Sequence, residues 1–111
     1  MSDYYESEDL KKFGAIGRHA RPLADSFFKY YQEATGAEGA LTRREKALIA
    51  LALAHAQKCP YCIDAWTTAC LEAGANPEQM MEAVHVAAAM QAGITLVHAV
   101  QMHNHLERLV L

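Results

Sequence analysis

Alanine dominates two helical stretches in the middle of the chain, and neither offers water a hydrophilic side. Leu48, Ile49, Leu51 and Leu53 fill the first, and Val84, Val86 and Ala87-Ala88-Ala89-Met90 the second. A helix that is apolar nearly all round is a helix buried on every side. A chain of 111 residues has room for one hydrophobic core and too few layers to cover two such helices alone. The pattern therefore predicts a single domain, residues 1–111, that completes its burial as an obligate homo-oligomer. A monomer with a tight alanine-packed core is the alternative.

Capping residues make the helix ends legible. A short acidic helix precedes an aromatic-faced one from about Arg18 to Thr35, which carries Phe27, Phe28, Tyr30 and Tyr31 and is closed by Gly36 and Gly39. Thr42 followed by Glu45 makes a capping box, and strong helix formers carry the next helix from Ala47 to a C-terminus near Lys58. Pro60 suits the first position of another helix, because its missing N–H is one of the orphan donors there, and this puts Cys59 at the N-cap. That segment runs through Ile63, Trp66 and Cys70 to Gly74, a left-handed C-terminal residue. Asn76-Pro77-Glu78-Gln79 restarts a helix that extends to about Gln91. Gly93 breaks the chain, and Ile94 to Leu109 forms the last helix, with Leu96, Val97, Val100, Leu106 and Leu109 mostly at helical spacing. No period-two strand pattern occurs. The expected fold class is all-α, with five or six helices joined by short turns.

Charge and composition exclude several functions. Thirteen acidic against ten basic residues give a formal net charge of -3 without a basic stripe, so no nucleic-acid partner is expected. The longest apolar stretch, Ala47 to Ala54, falls far short of the roughly 20 residues of a spanning helix, so no membrane partner is expected either. The N-terminus, MSDYYESEDL, is acidic and polar where a signal peptide is basic and then apolar, which makes the expected location cytoplasmic. Three cysteines are an odd count in a chain large enough to fold without staples, which points to chemistry rather than a disulfide framework.

Cys59-Pro60-Tyr61-Cys62 places two thiols on one face of a first helical turn, where they can close a small disulfide. A thiolate there is stabilised by unsatisfied N–H groups and the helix dipole, which can lower its pKa from about 8.5 toward 7 or below. Either cysteine suits that role, and the sequence does not rank them. Glutaredoxins carry the same tetrapeptide after a strand; here a helix precedes it, so that reading fails on context. His55, one turn before Cys59, reads as a general base or imidazolium partner, or as a satisfied core histidine. His85 stands among Val84, Val86 and alanines and must find a hydrogen bond, in a site or in packing. Tyr61 and Trp66 suit a pocket wall or the core, and Cys70 a small buried hydrophobe. His98, His103 and His105 read as solvated or interface residues, and Met80, Met81, Met90 and Met102 as core or subunit-interface filler.

One ordered combination is more specific than the cysteine pair alone. Leu48-Ile49-Ala50-Leu51-Ala52-Leu53-Ala54, then Cys59-Pro60-Tyr61-Cys62, then Leu71-Glu72-Ala73-Gly74-Ala75, then Glu82-Ala83-Val84-His85-Val86-Ala87-Ala88-Ala89-Met90 resembles the carboxymuconolactone decarboxylase and AhpD-like superfamily across about Leu41 to Val100. Ala54-His55-Ala56, Ile63-Asp64-Ala65 and Glu82-Ala83-Val84-His85-Val86 look like the peroxidase-like subgroup associated with arsenosugar biosynthesis. The resemblance implies an all-helical bundle, homotrimers or homohexamers, and no cofactor. For AhpD-type members it implies reduction of an alkyl hydroperoxide by a CxxC pair cycling between dithiol and disulfide, with a thiol or disulfide reductant as electron donor.

AhpD-type members place a glutamate twelve residues before the first cysteine and a histidine four after the second; here those positions are Ala47 and Trp66, so that relay does not carry over. Glu45 lies off that face by about 200° of helical rotation and serves the capping box. His55 and His85 remain as substitute bases, which makes Cys59, Cys62, His55 and His85 the candidate catalytic set. A competing reading is a soft-metal or arsenic-binding site in which Cys59 and Cys62 are joined by His55 or His85 as metal ligands. Against it, only two cysteines cluster. A decarboxylase acting on lactone acids is the third reading, and no carboxylate-binding arginine is evident near the pair.

Overall fold

A computed structural model describes residues 5–110. The chain opens with a 3-10 turn over Ser7–Lys11, α1 (Lys12–Ile16) and a second 3-10 turn over Gly17–Ala20. The longer helices follow: α2 (Arg21–Gly36), α3 (Arg43–Ala56), α4 (Pro60–Glu72), α5 (Pro77–Val97) and α6 (Ala99–Val110). No strand occurs among the described residues, and the fold class is all-α as the capping pattern implies.

Local chemistry sets each joint around the cysteine pair. The Thr42 hydroxyl accepts the Glu45 N–H at 3.0 Å while the Thr42 N–H donates to the Glu45 carboxylate at 2.7 Å, closing the capping box of α3. Asn76 and Gln79 repeat the device at α5, at 2.8 and 3.0 Å. The exits of α3 and α4 also match one another. In each, one residue turns left-handed, Lys58 at φ 53° and Gly74 at φ 92°. The next N–H then reaches back up the helix, from Cys59 to the Ala54 carbonyl at 3.0 Å and from Ala75 to the Cys70 carbonyl at 2.9 Å. Gly74 fits the conformation; Lys58 carries a side chain into it, at a cost of about 1 kcal/mol. The turn through Lys58 delivers Cys59 to the N-cap of α4.

Two helix boundaries differ from the sequence expectation. Gly93 does not break the chain: α5 runs on to Val97, and the interruption falls at His98. A lone glycine costs a helix only about 1 kcal/mol, and no proline follows it. The Thr95 hydroxyl instead donates back to the Gln91 carbonyl at 3.0 Å, within the continuing helix. The aromatic helix begins at Arg21 rather than Arg18, because Gly17–Ala20 winds as a 3-10 turn. Gly17 allows that turn to lie against α2, where an added Cβ would stand 2.8 Å from the Ala24 methyl.

The core is small. α3 packs on α4 and α5 and buries Ala47, Leu51, Cys70 and Ala75, with Leu48, Trp66, Ala73 and Met80 against them. Within one chain the apolar helices are not buried on every side. Ile49 and Leu53 are 56% and 60% exposed, and every described residue from Ala88 onward is exposed. The chain exposes 8702 Å², whereas folded monomers of 12.2 kDa expose about 6,100 Å². Its radius of gyration is 18.8 Å, against about 13 Å for a compact domain of this length. The excess arises because the far end of α5 and all of α6 have no layer over them. The stretch Pro77–Val110 also contains an 18-residue window of mean hydropathy 1.5 with none of it buried, long and apolar enough to cross a membrane by composition. An unbroken-run criterion overlooks this stretch, because His85, Gln91 and His98 punctuate it.

Candidate functional site

Cys59 sits at the N-cap of α4 in extended backbone, φ −102° and ψ 103°, and its sulfur accepts the Cys62 N–H at 3.3 Å. The two sulfurs lie 2.6 Å apart, in hydrogen-bond contact, and both cysteines are free. This geometry separates two thiols that the sequence could not rank. Cys59 lies below the ordinary thiol pKa, because the Cys62 S–H and then the Cys62 N–H stabilise its thiolate. Cys62 is pushed up to about 11, first by burial and then by donating to a neighbour that takes the negative charge. Deprotonation is thus favoured at Cys59 and disfavoured at Cys62. Cys70 is fully buried in the core, where burial raises its pKa, as suits an inert thiol.

The pair opens on a cavity of about 560 Å³. Cys59, Tyr61 and Cys62 line one side, and the N-terminal segment supplies the other through Asp9, Leu10, Lys12, Phe13 and Ile16. Lys12 and Asp9 pair with each other at 3.0 Å. The segment is fastened beside the cysteines: Tyr5 Oη and Ser7 Oγ each donate to Asp64 Oδ2 at 2.6 Å. The Tyr5 ring stands edge-on to Tyr61 with centroids 4.7 Å apart. Those two donors hold the Asp64 carboxyl below the usual carboxylate range, while partial burial and the Asp64 charge push Tyr5 up to about 12. Sequence reasoning missed this fastening. Tyr5 and Asp64 are 59 residues apart, and a lone aspartate near the start of α4 carries no signal of a distant partner.

The histidines do not join the thiols. The His55 Nδ1–H donates to the Leu51 carbonyl at 2.9 Å, assigned from that acceptor, which leaves Nε2 as the basic nitrogen. His55 lines a separate cleft with Tyr5, Ser7, Lys58, Pro60, Ile63 and Asp64, and no hydrogen bond links it to either sulfur. His85 is exposed on α5 and lies in neither cleft. Among the described residues no three His, Cys, Asp or Glu side chains converge on a point that could hold a metal ion. The His98 ring pairs with the Ile94 carbonyl at 2.7 Å and His103 with Glu107 at 2.9 Å; these and His105 are exposed, away from the pair. Met80 packs on the core, while Met81, Met90 and Met102 are exposed.

Ala47 and Trp66, the two positions of the missing relay, do come together. They line one small cavity of about 170 Å³ with Arg43 and Thr35. The Trp66 indole N–H donates to Tyr31 Oη at 3.2 Å. An indole only donates and a methyl does neither, so the spatial relation persists without its proton chemistry. Tyr61 therefore belongs to the wall of the thiol cavity, and Trp66 to the core and this second space.

Fold and site together define an all-helical protein with a free cysteine pair at a helix N-cap, facing an apolar cavity. Residues 22–103 match the model of the Carboxymuconolactone decarboxylase family, and the chain belongs to that family. It is 42% identical over 91 residues to uncharacterized protein 4 in the cox locus of Paracoccus denitrificans, covering 80% of this chain and 82% of that protein. An uncharacterized protein of Cupriavidus necator is 34% identical over 87 residues, covering 78% and 76%. The apo crystal structure of a carboxymuconolactone decarboxylase family protein from Legionella pneumophila superposes with a TM-score of 0.67 at 29% identity. That match covers 92% of this chain and 91% of the other.

Proposed function

We propose that the protein is a cytoplasmic, thiol-dependent peroxidase-like oxidoreductase in which Cys59 attacks and Cys62 resolves. The observation that carries this reading is the asymmetric sulfur pair at the edge of an apolar cavity: Cys59 Sγ accepts a backbone N–H at the helix N-cap and touches the half-buried Cys62 sulfur. The Cys59 thiolate attacks the terminal oxygen of a hydroperoxide. An S–O bond forms, the O–O bond breaks, and the departing alkoxide takes a proton to leave as an alcohol. The Cys62 sulfur then attacks the sulfenic sulfur; the S–S bond forms, the S–O bond breaks, and the oxygen leaves as water. One hydroperoxide takes two electrons from the dithiol, and an external thiol or disulfide reductant restores them. His55, with Nε2 free, is the base nearest in sequence; His85 has no part in this scheme.

A homotrimer or homohexamer fits this reading. An assembly would cover the roughly 2,600 Å² exposed beyond the expectation for a monomer of this mass. The test is trapping with dimedone after one equivalent of cumene hydroperoxide. Cys62→Ser should accumulate a sulfenic-acid adduct on Cys59, and Cys59→Ser should give none. Undiminished peroxide turnover in the double serine variant would sink the proposal.

A further inference from the structure

The N-terminal segment lies before the residues matched by the family model, which begin at 22, yet it supplies five of the eight residues that line the thiol cavity. Its apolar contribution is Leu10, Phe13 and Ile16, which line the space together with Tyr61. The only charges there, Lys12 and Asp9, satisfy one another at 3.0 Å, so the wall offers no unpaired charge to an ionic ligand. Phe13 is in turn backed by Phe28 and Phe27, with centroids 5.0 and 6.2 Å away. A volume of about 560 Å³ lies within the 300–1,000 Å³ typical of small-molecule sites.

We propose that this segment, fastened to Asp64 by Tyr5 and Ser7, is the specificity wall of the site, holding an uncharged aromatic or branched-alkyl substituent of the reacting molecule beside the cysteine pair. Phe13 and Ile16 touch that substituent. Asp64 is a positioning residue: it acts through the wall. The inference rests on the thiol chemistry proposed above only in taking the bound molecule to be the reactant, and its test does not require turnover.

Cumyl alcohol is an unreactive analogue carrying such a substituent. In the reduced protein it should slow alkylation of the pair by iodoacetamide, read by mass at each cysteine. We expect the ratio of rates without and with saturating alcohol to stand well above one in the natural protein. It should fall close to one in the Phe13→Ala, Ile16→Ala double variant. Both residues are largely exposed, at 46% and 60%, so their truncation leaves the α3–α4–α5 core intact. Asp64→Ala should lose protection as well, although it removes no part of the wall, and Asp64→Asn, which keeps an oxygen acceptor, should restore it.

Absence of protection in the natural protein, or equal protection in the double variant, would overturn the inference. Loss in Asp64→Asn equal to that in Asp64→Ala would overturn the role of the fastening. Protection without any sulfenic acid on peroxide treatment would leave the wall standing and refute the peroxidase reading instead.

Discussion

Limited alkylation gives the most direct measure of the asymmetry in the sulfur pair. Raising the Cys62 pKa from 9.0 to about 11 lowers its thiolate fraction at about pH 7.5 by roughly a hundredfold. The more basic thiolate is intrinsically the better nucleophile; with a Brønsted slope of about 0.45 this returns roughly eightfold over two pKa units. Cys62 should therefore react about tenfold more slowly than an ordinary thiol, and Cys59, whose pKa is shifted the other way, should lead it by at least that factor. Substoichiometric iodoacetamide on the reduced protein, followed by peptide mapping across residues 59–62, reads the ratio directly. Cys62→Ala supplies the control: it removes the S–H donor that most stabilises the Cys59 thiolate, so Cys59 should react more slowly at neutral pH than in the natural protein. Equal labelling of the two cysteines, or a first label on Cys62, would refute the ranking of the two thiols.

Other consequences are open to measurement. Leu51 is 1% exposed between helices packed through alanines, so Leu51→Ala should cost about 3 kcal/mol in urea unfolding at fixed protein concentration. Lys58→Gly relieves the left-handed strain at φ 53° and should raise the melting temperature by about 4 °C, whereas Lys58→Ala should not. The fastening of the N-terminal segment should be present across neutral pH, since a depressed Asp64 loses its contribution only as pH falls through its lowered value. A Tyr5 raised from 10.0 to about 12 loses its own only as pH climbs from the ordinary tyrosine range toward 12. Ser7, His55 and Lys58 share that cleft, and in tyrosinate absorbance the late titration of Tyr5 should move to lower pH in Asp64→Ala, which removes the hydrogen bond and charge of Asp64. Light scattering should report a trimer or hexamer, and Met90→Glu, on the exposed face of α5, should reduce that mass; a monomeric natural protein would end the oligomer reading.

Local chemistry wrote much of this molecule into its sequence. Helix starts at Thr42, Cys59-Pro60 and Asn76-Pro77, and the left-handed stop at Gly74, are decided within four or five residues by hydrogen bonds and backbone sterics, so they are legible from neighbours in the chain. Cysteine spacing likewise brings the two sulfurs to one helical turn, because their separation is fixed by the backbone. Gly93 shows the limit of the same reasoning. A lone glycine weakens a helix without ending it, and α5 continues through Gly93 to Val97. Three-dimensional packing decided the rest. The ranking of Cys59 and Cys62 depends on how much water each sulfur loses, the separation of His55 from the sulfurs on which cleft its ring enters, and the cavity wall on a contact between residues 59 positions apart. Desolvation and long-range contact are properties of the folded surface, and no spacing along the chain encodes them.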